Sequence, residues 1–268
     1  MGETNLKRIT VLTVILVVAG IISSALLAAV LIIRDPYYKS SQLIKAIEKK
    51  DYDKLEKMLS DGTDPNIPEF RETFYTRMCE MSPRTALGIA AGRDDLAAVR
   101  ILLQYGASPN RDEVLHPCPL MRAISTNGPN SLEIVKLLIQ YGADPYKTDG
   151  TALNAYYKVL ERYSPELSEE SLRLTQIMDY MLGYFDETPQ TVREKCNDSW
   201  SLATTAIYEG ENPSLIRFLL QKGDTVNVDS VYRGYKGGIS FYDWCHLEKN
   251  KTILAILEEY GYFQQKTG

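Results

Sequence analysis

One stretch that occurs twice constrains this chain more than anything else in it. Residues 96–109 read LAAVRILLQYGASP, and residues 132–145 read LEIVKLLIQYGADP. Leu96 corresponds to Leu132, Val99 to Val135 and Leu102 to Leu138, and the run Gln104, Tyr105, Gly106, Ala107 corresponds to Gln140, Tyr141, Gly142, Ala143. Apolar residues at i, i+3 and i+6 line one side of a short helix, and a glycine just after the last of them can take the left-handed conformation that stops it. Each copy is therefore expected to be a helix with its own terminator. A fixed period of this kind signals an array of units, none of which can bury its apolar face without a neighbour.

Upstream of each copy comes a second recurring stretch, TALGIA at residues 85–90 and CPLMRA at residues 118–123. These hexads resemble T-P-L-H-x-A, and with the L-L-x-x-G-A-x-P-N ending they make the pattern similar to that of the ankyrin-repeat family. The resemblance implies an all-α solenoid of helix–turn–helix units with a β-hairpin finger between units. Fainter copies extend the array in both directions. Residues 41–66 carry Leu43, Ala46, Leu55, Leu59, Gly62 and the run Asp64, Pro65, Asn66 in register, and residues 200–227 carry Leu202, Ile216, Leu219, Leu220 and Gly223. Residues 240–261 form a last unit with Cys245 where the pattern wants Ala. A degenerate fourth unit runs from Thr151, Ala152 and Leu153 through Ile177, Tyr180 and Met181, with a stretched loop between its helices and Tyr184 where the glycine is expected. About six units are thus expected over residues 41–268, with Ser168 as an N-cap in the fourth.

Ahead of the array, residues 9–33 hold no charge and are mostly Ile, Leu and Val. At ~1.5 Å per helical residue such a run exceeds the ~30 Å hydrocarbon core, so it can span a bilayer with some tilt. The rival is a secretory signal peptide, whose apolar core is shorter and is followed by a small-residue cleavage site. Ala25 to Ala29 offer small residues, but the apolar run continues to Ile33. An uncleaved transmembrane helix at 9–33 is the expectation, with a short tail at 1–8 and a linker at 34–40 whose Pro36 ends the helix leaving the membrane. Basic residues flank the span on both sides, so the positive-inside rule leaves the orientation open.

A net charge of −5 argues against a nucleic-acid footprint, which needs a clustered basic face. No serine-hydrolase elbow, zinc-protease helix, phosphate-binding loop or dinucleotide fingerprint is present, and the two histidines, His116 and His246, fall in different units. The pair Asp94 and Asp95 sits at a helix start, where carboxylates cap backbone N–H groups. His116 and Cys118 lack a second pair at ligand spacing. Neither a cofactor, a metal, nor a small-molecule substrate is expected. Cys79 and Cys118 could meet between neighbouring fingers or stay as small buried hydrophobes.

What remains is recognition of a protein. An oversized insertion before the second unit carries Arg71, Phe74, Tyr75 and Arg77, and a glycine-supported turn before the last unit carries Tyr232, Arg233 and Tyr235. Aromatic residues and Arg dominate the free energy of protein interfaces, so these two segments are the expected partner contacts. The alternative for the insertion is that it folds back on its own solenoid to bury Phe70 and Phe74. A membrane-anchored module that binds a protein through its concave face and fingers is the functional expectation. A dedicated inhibitor, such as an immunity protein that plugs a toxin, would use the same surface.

Overall fold

The structure, a computed structural model, describes residues 35–69, 84–110, 117–148, 153–162, 168–198, 200–210, 212–228, 231–232, 239–246 and 251–263. The span read at 9–33 lies outside the described residues, and among those no helix is long and apolar enough to cross a membrane.

Helices come in antiparallel pairs that stack side by side. The first pair is α1 (Pro36–Glu48) and α2 (Tyr52–Ser60), the second α3 (Ala86–Gly92) and α4 (Leu96–Gln104), the third α5 (Pro119–Thr126) and α6 (Ser131–Gln140). The fourth joins α7 (Ala155–Leu160) to α8 (Glu169–Tyr184). A further helix, α9 (Pro189–Cys196), comes before the fifth pair, in which α10 (Leu202–Thr205) runs into a π-helical turn (Ala206–Gly210) and then α11 (Pro213–Gln221). Strands β1 (Val231–Tyr232) and β2 (Ile239–Ser240) pair antiparallel, Val231 with Ser240 and Tyr232 with Ile239, ahead of α12 (Phe241–Cys245) and α13 (Lys251–Glu259). First helices contact first helices along the row (α1, α3, α5, α7, α10), and second helices do the same (α2, α4, α6, α8, α11, α13). One continuous apolar core runs the length of the stack.

The repeated sequence explains the repeated geometry. Leu102 and Leu138 are fully buried between second helices, while Tyr105 and Tyr141, one step before the terminating glycines, stand 36% and 48% exposed. Gly106 and Gly142 adopt φ of +83° and +87°, and the residue after each donates back into the helix, Ala107 N to Leu102 O and Ala143 N to Leu138 O, both at 2.9 Å. This is the left-handed helix stop that a Cβ would strain.

Three expectations need correction. Residues 36–40 of the expected linker are helical: Pro36 sits at the first position of α1, and Asp35 is the N-cap whose carboxylate accepts from Tyr37 N and Tyr38 N. A proline is well placed there because the first-turn N–H it lacks has no partner in a helix anyway. The stop of the fourth unit is not at Tyr184, which is the last residue of α8. Asp186 takes the left-handed position with φ of +52°, and Glu187 N donates to Leu182 O at 2.8 Å as Ala107 and Ala143 do to their helices. A hairpin finger between the fourth and fifth units gives way to α9, capped by Thr188, whose hydroxyl accepts from Thr191 N while Thr191 Oγ1 accepts from Thr188 N. The β1–β2 ladder is the one finger with paired strands among the described residues.

The Asp94 and Asp95 carboxylates are structural. Asp95 caps α4 by accepting from Ala98 N at 3.1 Å and also accepts from the Tyr52 hydroxyl of α2 at 3.0 Å. Asp94 reaches to the third unit, accepting from Asn130 N at 3.0 Å and the Ser131 hydroxyl at 3.2 Å, and a Cβ on Gly128 would come within 2.5 Å of it. Ser168 is the N-cap of α8, as expected.

Candidate functional site

A ladder of asparagines ties the turns of the first three units together. Asn66 accepts from Ser108 N at 2.7 Å and donates to Gly106 O at 3.0 Å. Asn110, one unit on, accepts from Asp144 N at 2.8 Å and donates to Gly142 O at 2.6 Å. Each side chain thus satisfies one donor and one acceptor of the next turn, which the helix stop leaves free. In the third unit the same position, after the Asp-Pro step, belongs to Tyr146. The ladder ends there.

Where it ends, Glu187 occupies the place that Ala107 and Ala143 hold in their units. Its side chain is only 4% exposed, and it accepts hydrogen bonds from the Tyr156 hydroxyl and from Lys195 Nζ of α9. Lys195 also lies 5.2 Å above the Tyr146 ring, which in turn meets the Tyr156 ring at 5.4 Å between centroids. The Tyr146 hydroxyl is buried and near enough to feel the Glu187 charge, but makes no hydrogen bond of acceptable geometry. Burial would raise the Glu187 carboxyl, yet hydrogen bonds from Lys195 and Tyr156 outweigh it and hold the group below the ordinary carboxylate value. Glu187 is therefore a charged acceptor, and α9 is fastened to the fourth unit through it.

The joint leaves a cleft of about 420 Å³ between the Tyr146 turn, the start of α7 and the end of α9. Asn154, the N-cap of α7, accepts from Tyr157 N at 3.2 Å and donates to Cys196 Sγ at 3.2 Å. The Tyr157 hydroxyl donates to Asp198 Oδ2, and Asp198 Oδ1 accepts from Trp200 N at 3.0 Å. Burial, reinforced by the neighbouring carboxylates, pushes the Tyr156 and Tyr157 hydroxyls well above the ordinary phenol value, so they are neutral donors at physiological pH. Burial also raises Cys196, and the charges of Asp198 and Glu187 add to it against the opposing hydrogen bond from Asn154. Among the described residues no group of three or more His, Cys, Asp and Glu side chains could hold a metal.

Repeat geometry of this kind has a counterpart in known proteins. Residues 43–149 match the family model described as ankyrin repeats, in three copies. The crystal structure of the human ASB11 ankyrin repeat domain shares the architecture with a TM-score of 0.54 and 15% sequence identity, the match covering 84% of this chain and 85% of that one. The fold is that of an ankyrin-repeat protein. No curated protein matches the chain in sequence. The three matched repeats are the regular ones, and the cleft opens where the ankyrin pattern lapses, from Tyr146 onward.

Of the contacts expected from sequence, Arg71, Phe74, Tyr75, Arg77, Arg233 and Tyr235 lie outside the described residues, and Tyr232 is described only in its backbone, in β1. Residue 79 also lies outside them, while Cys118 is buried at the N-terminus of α5. The residues of the cleft escaped the sequence reading. Two signals pointed to them: a tyrosine in the third unit where Asn66 and Asn110 stand, and the helix-start pattern of Thr188, Pro189 and Thr191 in a segment where a finger was expected.

Proposed function

We propose that this is a membrane-anchored recognition protein, held to the bilayer by residues 9–33 and presenting its ankyrin stack to a protein partner through the concave face and the edge bearing the interunit connections. The observation that carries this reading is the distribution of aromatic side chains. Among the described residues the exposed large apolar side chains are mostly tyrosines: Tyr38, Tyr105, Tyr141 and Tyr184 stand between 36% and 50% exposed at helix ends, against two aliphatic residues, Leu172 and Val228. Amphipathic rings at low conformational cost are the usual anchors of protein interfaces. The helical start at Pro36 supports the anchoring half of the proposal: few residues separate the apolar run from α1, so the first unit rides close to the lipid surface.

The test is a pull-down from membranes with the tagged full chain and with a variant combining Arg71→Ala, Tyr75→Ala, Tyr232→Ala and Arg233→Ala. Alkaline carbonate should leave the chain in the membrane fraction, and the variant should keep its helical content and lose the partner. Extraction by carbonate refutes the anchor. Undiminished partner recovery by the variant refutes the assignment of the contact face to those two segments.

A further inference from the structure

We infer that the cleft beside α9 receives an extended, uncharged stretch of polypeptide from the partner; the inference rests on the partner-binding reading above and names a place for it. Four departures from the repeat pattern meet at this point. Tyr146 replaces the ladder asparagine, Asp186 replaces the left-handed glycine, Glu187 replaces the small alanine, and α9 replaces a finger. The second unit, with Gly106, Ala107 and Asn110, stacks without any of these, and the fifth shares one of them, a carboxylate, Asp224, in the alanine place; two of the four are unfavourable in themselves, since the ladder loses its hydrogen bonds and a non-glycine residue is held at positive φ. Local rules broken together beside three regular units mark a site more readily than a stacking requirement.

The lining says what can enter. Lys195 and Asp198 stand at the rim with opposite charges, and both are already engaged: Lys195 on Glu187, Asp198 on the Tyr157 hydroxyl and the Trp200 N–H. An anion would meet Asp198 and a cation would meet Lys195, so the cleft favours a ligand without net charge. Leu153 and the rings of Tyr146 and Tyr157 supply apolar walls, and Thr148 and Asn197, both exposed, supply uncharged donors and acceptors. Flat apolar walls with neutral hydrogen-bonding groups between them suit a main chain with alternating N–H and C=O groups. The volume of about 420 Å³ falls in the range of real ligand sites and admits a few residues at ~3.3 Å each.

Cys196 gives the cleft a built-in reporter, because its thiol lines the cleft and is half-buried, while Cys118 and Cys245 are buried. Displayed random short peptides would be selected on the full chain in detergent micelles, with selected sequences tested by fluorescence anisotropy. Iodoacetamide alkylation would be read at residue 196 alone by mass spectrometry of the digested chain. Selected neutral peptides should bind, slow alkylation at Cys196, and lose affinity by about tenfold or more on Thr148→Trp, which places a large ring at the mouth from an exposed position. Peptides that bind Thr148→Trp as tightly as the parent and leave Cys196 alkylation unslowed overturn the cleft, while the partner-binding reading stands because the chain still binds polypeptide. Selection of charged peptides only, or of none, also overturns it. The alkylation measurement needs no variant, so it decides the matter even where Thr148→Trp fails to fold.

Discussion

Leu138→Ala is the sharpest probe of how the stack is held. Leu138 lies in α6, which packs against α4 on one side and α8 on the other, and none of its surface reaches solvent. Truncation removes three carbon groups, worth about 0.8 kcal/mol each in transfer free energy, or about 2.4 kcal/mol together. A cavity term adds to this in proportion to how little the site collapses, and measured Leu→Ala losses run to about 5 kcal/mol. Being clamped between two helices, α6 has little freedom to close the void, so a loss of about 3–4 kcal/mol is expected. Tyr141, three residues on and 48% exposed, should lose under about 1 kcal/mol on Tyr141→Ala. Urea unfolding of the full chain in detergent micelles, followed by far-ultraviolet circular dichroism, measures both. With a slope of about 2–3 kcal/mol/M, Leu138→Ala should lower the midpoint by more than about 1 M and leave the slope unchanged. Equal midpoint shifts for the two variants would mean that the inward and outward faces of α6 are wrongly assigned and that the stack does not rest on this contact.

Three other outcomes follow from the same geometry. Removing residues 1–34 should release a helical protein that unfolds cooperatively in solution without detergent, because α1 starts with its own cap at Asp35; aggregation of the fragment would refute the boundary. Asp186→Gly should raise the thermal midpoint, by a gain of about 0.5–1 kcal/mol, since it relieves a left-handed residue that is not glycine; a lowered midpoint refutes the strain. Lys195→Met should shift acid unfolding to higher pH. Glu187 has a folded-state value below its unfolded one, so its stabilisation is present above the unfolded carboxyl value and is lost as pH falls through the folded one. Burial, opposed by fewer hydrogen bonds after Lys195 is removed, raises the folded value. An unchanged acid midpoint by circular dichroism would refute the coupling.

The fold was legible wherever local rules repeat. The pairing of residues 96–109 with 132–145 carried the helices, their stops and the burial of Leu102 and Leu138, because each of these depends on residues within one or two turns of chain. Legibility failed where a residue was judged by type rather than by the conformation the stack imposes. Tyr184 was taken to stand where the terminating glycine belongs, yet Asp186, two residues on, adopts the left-handed conformation; Asp and Asn tolerate it best after glycine. Residues 36–40 were read as a linker after Pro36, although a proline at the first helical position starts a helix as readily as it follows one.

The candidate site shows the same division in its clearest form. Sequence by itself determined that the chain carries ankyrin-like units ahead of residue 149 and that an uncharged apolar run precedes them, since period and composition are properties of the chain alone. Only the tertiary structure decided that Tyr146, Glu187 and Lys195 meet, that Asn154 faces Cys196, and that Tyr157 reaches Asp198. These pairs are separated by about forty residues or belong to an element, α9, with no counterpart in the regular units. Charge, burial and hydrogen bonding at the cleft depend on which units stack against which, and no local pattern in the chain encodes that distance.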